Sequence, residues 1–337
     1  MKLLFICTQI NNMLKVSNQS LIYMCHIFKK HFFMIESQKK QGVLMSFFQQ
    51  TCMDFESYLH AHKPAISSFH PYFETAFWEM VLNGGKRFRP NLLLSVVCAE
   101  AKEQVKNAFD VCLGLECLHT YSLIHDDLPA MDNAALRRNH PTLHCKYDEG
   151  SAILIGDGLN TYSFYLLANA RFAPSVVVNL ISCLSENGGI GGMVLGQALD
   201  CHFEDTTLSL DKLQYIHTNK TAKLIAASLK MGAIIANMPH DMQTRLYEFG
   251  LSLGLYFQIR DDIIDSIQDE HTSGKTTHND SNKNSYVNLM GLTEAKNTLT
   301  NHTLLLKNDL ETIHKLGYRM LCIYLTELLE SYFKPLD

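Results

Sequence analysis

Two aspartate clusters could do chemistry in this chain: Asp126-Asp127-Leu128-Pro129-Ala130-Met131-Asp132 and Asp261-Asp262-Ile263-Ile264-Asp265. Each is a dense negative site set in apolar sequence. Crowded carboxylates repel one another and lose hydration unless a cation neutralises them. Oxygen ligands without a Cys or imidazole set suit Mg²⁺ rather than zinc. Mg²⁺ held by few carboxylates usually also binds substrate phosphates. Two such clusters therefore suggest one diphosphate gripped from both sides. A lone acidic cluster is more often a solvated helix face. Here two recur, with Arg137-Arg138 shortly after Asp132 and Gly84-Gly85-Lys86-Arg87-Phe88-Arg89-Pro90 upstream.

These residues need elements to position them. Apolar periodicity is helical throughout, and no succession of alternating strands is visible. The pattern predicts helices over 47–62, 71–83, 90–101, 106–127, 149–171, 175–202, 208–217, 219–237, 240–269, 286–312 and 316–333. Gly84-Gly85 ends one helix, and Pro90 suits the first turn of the next. Several helices are apolar on most sides, which marks one large bundle rather than a repeat array.

On this reading the helix before the first cluster ends there, because Pro129 forces Leu128 out of helical geometry. Asp126 and Asp127 lie at the helix end and Asp132 in the loop beyond, sharing a site because the chain turns between them. His119, two turns before Asp126, shares its face. In the second cluster Asp261 and Asp265 are i,i+4 neighbours, and Gln258 lies one turn earlier. Gln258 either offers a neutral dipole near the metal site or caps a core hydrogen bond. Lys220-Thr221 lies in an apolar helix; its ammonium either reaches solvent or faces the clusters as a point charge for diphosphate. Gly188-Gly189-Ile190-Gly191-Gly192 permits close packing or a local break and is no P-loop, because no GKS or GKT follows. Lys275 and Lys283 trail the second cluster in a polar stretch that could close over a metal–diphosphate site.

Composition narrows the function. The 337 residues include 47% hydrophobic ones, ample for a buried core. No apolar run reaches the roughly 18 residues of a membrane span. The net charge of −5 argues against a nucleic-acid binder. Residues 1–44 hold six Lys and one Glu, whereas the remainder is acidic, with net charge −10. That first segment fits neither a secretory signal nor a transit peptide, and is read as a disordered extension or a misassigned start. Ten scattered Cys without a CxxC pair fit a reduced, cytoplasmic protein. The 16 His show no HExxH spacing.

The chain resembles the trans-isoprenyl diphosphate synthases, and most closely the bacterial-type farnesyl diphosphate synthases. The stretches that carry the resemblance are GGKRFRP at 84–90, ECLHTYSLIHDDLPAMDNAALRR at 116–138, GDGL at 156–159, GQALD at 196–200, HTNKT at 217–221 and YFQIRDDIIDSIQDEHTSGKT at 256–276. The similarity runs from about residue 50 to the C-terminus, and a polyprenyl synthetase domain is expected over 45–337. The resemblance implies an all-α fold, a single large bundle around a deep central cavity, in a homodimer. It implies head-to-tail condensation of isopentenyl diphosphate with allylic diphosphates (dimethylallyl, geranyl), with Mg²⁺ as cofactor, three ions when substrate is bound.

The roles carried over are these. Asp126, Asp132 and Asp261 hold metal, with Asp127, Asp262 and Asp265 assisting. Arg137, Lys220, Lys275 and Lys283 serve the allylic diphosphate and the closing loop. Lys86, Arg89, His119 and Arg138 hold isopentenyl diphosphate. Gln258 and Thr221 stabilise the allylic cation. Tyr121, with the small Ser122 beside it, sets a fifteen-carbon product, the twenty-carbon geranylgeranyl product being the alternative. The sequence departs from the family pattern at Asn133-Ala134-Ala135, Asn139-His140-Pro141-Thr142 and Asn284-Ser285-Tyr286-Val287.

Rival readings fit less well. A class I terpene cyclase lacks GGKR and carries a different second motif. A His-Asp phosphohydrolase would need more spaced histidines. A non-catalytic prenyltransferase subunit usually loses one aspartate motif, and both are intact here.

Overall fold

A computed structural model describes residues 46–272 and 284–333, with the backbone alone for 268–272. The expectations for residues 1–44 and for Lys275 and Lys283 lie outside the described residues. The chain divides into two units, Met1–Gln50 and Thr51–Asp337. In the first, Ser46 and Gln49 form a reciprocal cap: the Ser46 hydroxyl accepts from Gln49 N (3.1 Å) and Gln49 Oε1 accepts from Ser46 N (3.2 Å). All described site residues lie in the second unit.

The fold is all-α, as expected. In chain order the helices are α1 (Phe47–Ala61), α2 (Phe73–Leu82), α3 (Phe88–Glu100), α4 (Val105–Asp126), α5 (Leu143–Lys146), α6 (Glu149–Ala168), α7 (Pro174–Gly188), α8 (Met193–His202), α9 (Leu210–His217), α10 (Lys223–Ile235), α11 (His240–Thr272), α12 (Tyr286–Met290), α13 (Leu292–Lys315) and α14 (Arg319–Tyr332). A π-helical turn, Thr218–Ala222, joins α9 to α10. Local chemistry sets several boundaries. Asp148 caps α6 by accepting from Ser151 N at 2.7 Å, and Ser285 caps α12. Pro174 opens α7 at its first turn.

Helix α10 lies at the centre of the packing, against α3, α7 and α11. Its apolar residues are buried from Leu224 through Ile235, so it needs no polar face. Gly250 and Gly254 let α11 close onto the α10 side: a Cβ at these positions would stand 2.4 Å from Ala226 Cα and 2.3 Å from Ala222 Cα.

Two predicted helices are each two. The 175–202 segment breaks between α7 and α8, where a Cβ on Gly192 would lie 2.0 Å from the Asn187 carbonyl oxygen; four glycines in five positions favour the break. The 286–312 segment breaks at Gly291, whose φ of 82° ends α12. The sequence reading missed a short hairpin, β1 (Leu136–Arg137) with β2 (His140–Pro141), antiparallel with Leu136 opposite Pro141. Its turn residues Arg138 and Asn139 have φ of 52° and 64°, the geometry of a tight two-residue hairpin. Asparagine tolerates that conformation well, which accounts for Asn139 at a position where the family pattern has Gly.

Candidate active site

Helix α4 delivers the first cluster. It ends at Asp126 and the chain doubles back: Asp132 N donates to the Asp126 carbonyl at 2.9 Å, and Ala134 N to the Asp127 carbonyl at 3.1 Å. Asp126 and Asp132 are thus brought together as the spacing predicted. Burial, reinforced by Asp132 and Asp127 and opposed by Lys220, pushes the Asp126 carboxyl up to about 6. Asp127 differs: it is 1% exposed, and Arg137 donates to its Oδ1 through Nε at 2.7 Å. The two members of the pair have separated roles, one open and one tied to the hairpin.

The second cluster on α11 repeats this division. Burial, helped by Asp265, pushes the Asp261 carboxyl up to about 7. Asp262 is tied into the fold: its Oδ2 accepts from Tyr286 N at 2.8 Å, anchoring the start of α12, and its Oδ1 accepts from Gln258 Nε2 at 3.4 Å. Asp265 is exposed.

The π turn serves both clusters. Lys220 Nζ donates to Asp200 at 2.6 Å, and burial, which pulls its pKa down, is outweighed by Asp200, Asp126 and Asp132, which raise it. The next residue, Thr221, donates through Oγ1 to Gln258 Oε1 at 3.1 Å. Gln258 thereby links Thr221 to Asp262 through one amide. The turn comes close to α8 because Gly196 lacks a side chain: a Cβ there would lie 2.1 Å from Lys220 N. Single turns of π-helix inside α-helical segments recur at functional sites.

A third group is cationic. Lys86 is exposed, with Nζ 4.5 Å from the Tyr332 ring centre. Arg89 Nη1 lies 3.2 Å from His119 Nε2. Burial, with Arg89 and Arg138 close by, holds His119 well below the usual imidazole range. His119 is therefore neutral at pH 7. Arg89 donates to Nε2, which leaves the proton on a buried Nδ1 that has no partner among the described residues. Arg138 Nη1 donates to the Gly84 carbonyl at 2.5 Å, and a Cβ on Gly85, whose φ is 113°, would meet that guanidinium at 2.7 Å. His140 and His144, four apart in sequence, sit on β2 and α5 and form no single helical pair.

Four residues escaped the sequence reading. Asp200, within the quoted GQALD stretch, pairs with Lys220. Arg87 and Glu116 form a buried ion pair at 2.9 Å. Asn284 ties down the Phe203–Leu208 loop, donating to the carbonyls of Phe203 and Thr206 and accepting from Leu208 N at 3.0 Å. Arg87, Glu116 and Asp200 lay within the stretches that carry the resemblance, and Glu116 was also the lone carboxylate of the run 111–124.

The carboxylates of Asp126 and Asp261 are half-buried among like charges, an arrangement that a hard cation would relieve. Among the described residues no three His, Cys, Asp or Glu side chains form a metal cage by themselves. The sign of the pH effect follows. The folded carboxyl of Asp261 titrates near 7 against an ordinary value of 3.8, so the metal-free fold binds the proton more tightly than the unfolded chain. Its stability should fall as pH rises from about 4 to about 7. Asp261→Asn is expected to raise the Tm of metal-free protein by a few degrees at pH 8 and by clearly less at pH 5. Equal Tm shifts at both pH values would rule out desolvation of Asp261.

The model of the polyprenyl synthetase family matches residues 70–316. The chain belongs to this family. It is an enzyme, similar to known prenyltransferases. A farnesyl diphosphate synthase of Geobacillus stearothermophilus is 46% identical over 224 residues, covering 65% of this chain and 75% of that one. A second, from Micrococcus luteus, is 38% identical and covers 81% and 93%. Among solved structures, a geranyltransferase from Helicobacter pylori complexed with magnesium and isoprenyl diphosphate has 54% identity and a TM-score of 0.80, covering 87% of this chain and all of that one. No described helix is long and apolar enough to cross a membrane.

Proposed function

We propose that this enzyme condenses isopentenyl diphosphate head to tail with dimethylallyl and then geranyl diphosphate, releasing farnesyl diphosphate. The observation that carries this reading is the π turn. Two consecutive residues, Lys220 and Thr221, reach the first cluster and the Gln258–Asp262 pair of the second. A charged donor for a leaving diphosphate and a neutral oxygen for a cation thus stand side by side.

Asp126, Asp132 and Asp261 would hold Mg²⁺, three ions with substrate bound; when bound, the metal neutralises charge on the departing diphosphate. Lys220 donates to a diphosphate oxygen after leaving Asp200, and Arg137, steadied by Asp127, adds a second grip on the allylic substrate. Lys275 is assigned to that grip, and Lys283 to substrate binding. Lys86, Arg89 and Arg138 bind isopentenyl diphosphate, together with neutral His119, which holds Arg89 through Nε2. The allylic carbon–oxygen bond breaks first. Gln258 and Thr221 then present oxygens that stabilise the allylic cation electrostatically without a nucleophile that would trap it. The isopentenyl double bond attacks the cation, and the released diphosphate accepts the proton that restores an alkene.

The catalytic domain is assigned to 45–337. A homodimer is supported by apolar side chains left exposed on α6 and α7: Leu154, Tyr165 and Val178, each 60% exposed. A cytoplasmic setting is supported by cysteines that are all free among the described residues. Chromatography of products formed from isopentenyl and dimethylallyl diphosphates with Mg²⁺ tests the reading. Farnesyl diphosphate is expected as the principal product. A twenty-carbon principal product would overturn the product assignment, and no condensation would overturn the reaction.

A further inference from the structure

The turn before α3 contains a buried ion pair that the reaction above does not use. Arg87 has a φ of 48°, a left-handed conformation that a residue with a Cβ adopts at a steric cost. Its guanidinium is held on all sides. Nε and Nη2 donate to the Glu56 carboxylate at 3.0 and 3.1 Å, while Nη1 donates to Glu116 Oε1 at 2.9 Å and to the Gly84 carbonyl at 3.0 Å. Glu116 is 2% exposed and lies on α4, one turn before His119. A carboxylate so buried is tolerated only when paired, and removing one partner leaves the other stranded.

The neighbours of the pair are cations assigned to one substrate. Lys86 precedes Arg87 in the turn, and Arg89 follows it in the first turn of α3. Arg138 donates to the same Gly84 carbonyl that Arg87 holds. Arg89 reaches His119 on the helix that carries Glu116. Glu116 is also the carboxylate whose field acts on Arg87, Arg89 and Arg138 alike. The allylic side is built separately: Lys220 pairs with Asp200 and Arg137 with Asp127.

We propose that Glu116, acting through Arg87, is the positioning residue of the isopentenyl diphosphate site. The pair fixes the Gly84–Phe88 turn against α4, so that Lys86 and Arg89, together with Arg138 and His119, meet the diphosphate as a preformed set. Without the Glu116 carboxylate, Arg87, Arg89, Arg138 and Lys86 repel one another with less to offset it, and the left-handed turn loses its tie to α4. Binding then requires the turn to be reassembled around each incoming substrate. This inference rests on the assignment of those four residues in the preceding section.

The test uses Glu116→Gln and Arg87→Lys in the full chain, with steady-state kinetics in each substrate separately. Glu116→Gln removes the charge with little change of shape. Arg87→Lys keeps the charge, but an ammonium cannot span Glu56, Glu116 and Gly84 together. Each variant should raise KM for isopentenyl diphosphate at least about tenfold, keep KM for the allylic diphosphate within about twofold, and change kcat less than KM. A purely structural role would move both KM values together, and that result overturns the proposal, as do unchanged KM values. If Glu116→Gln does not fold, Glu116→Asp carries the same expectation. If neither folds, the pair is a folding element and the proposal fails. Wild-type enzyme that does not join the two diphosphates would instead overturn the functional reading.

Discussion

Replacing Asp126 or Asp261 by alanine is expected to lower turnover by at least about a hundredfold, the loss usual when a group that stabilises developing charge is removed. Both carboxylates are held desolvated beside other acids, which raises them to about 6 and about 7. A cation would relieve such a concentration of negative charge, and on the proposed mechanism its effect is felt mainly as the diphosphate leaves. Their neighbours should behave differently. Asp127→Ala frees Arg137, and Asp262→Ala releases the start of α12, so both should lower Tm as well as rate. The measurement is kcat at saturating Mg²⁺ and substrates, with circular dichroism to establish folding. Near-normal turnover in both the Asp126 and Asp261 variants would sink the metal assignment.

Tyr121→Ala should lengthen the principal product from fifteen to twenty carbons. Tyr121 lies five residues before Asp126 in α4, about 7.5 Å along the helix at ~1.5 Å per residue. It is 8% exposed, and its ring stands edge-on to His125 with centroids 5.6 Å apart. His125 is itself confined, because it packs over Gly156 of α6, where a Cβ would lie 2.1 Å from Nε2. A ring wedged in this way does not move aside for a growing chain, since packed interiors resist small displacements. The adjacent Ser122 turns its hydroxyl back to the His119 carbonyl at 2.9 Å and adds no bulk. Product chromatography after incubation with excess isopentenyl diphosphate decides the matter. A product length unchanged by the substitution would show that Tyr121 is ordinary core.

Much of the fold was legible because it is written locally. Pro129 stops α4, Gly84-Gly85 and Pro90 separate α2 from α3, and the apolar run of α10 marks a central helix. Those signals act within one or two turns of the chain and need no partner. The 175–202 and 286–312 helices were read as continuous because apolar periodicity carries on through both breaks. The hairpin at 136–141 was missed because it is too short for an alternating pattern, and its turn uses Arg138-Asn139 rather than a glycine.

For the site, the residue types and spacing of the two aspartate motifs were enough to indicate a hard cation and a diphosphate. The sequence could not distinguish the members of each pair. Asp126 and Asp127 are adjacent, as are Asp261 and Asp262, yet one of each stays open while the other is claimed by Arg137 or by the backbone of Tyr286. Nor did it reveal that Lys220 pairs with Asp200, 20 residues earlier, or that Glu116 reaches Arg87, 29 residues earlier. Chain composition determines which charges are present and which face of a helix they share. Which charge meets which is decided by how helices distant in sequence pack, because a buried ion must find its partner wherever the fold places one.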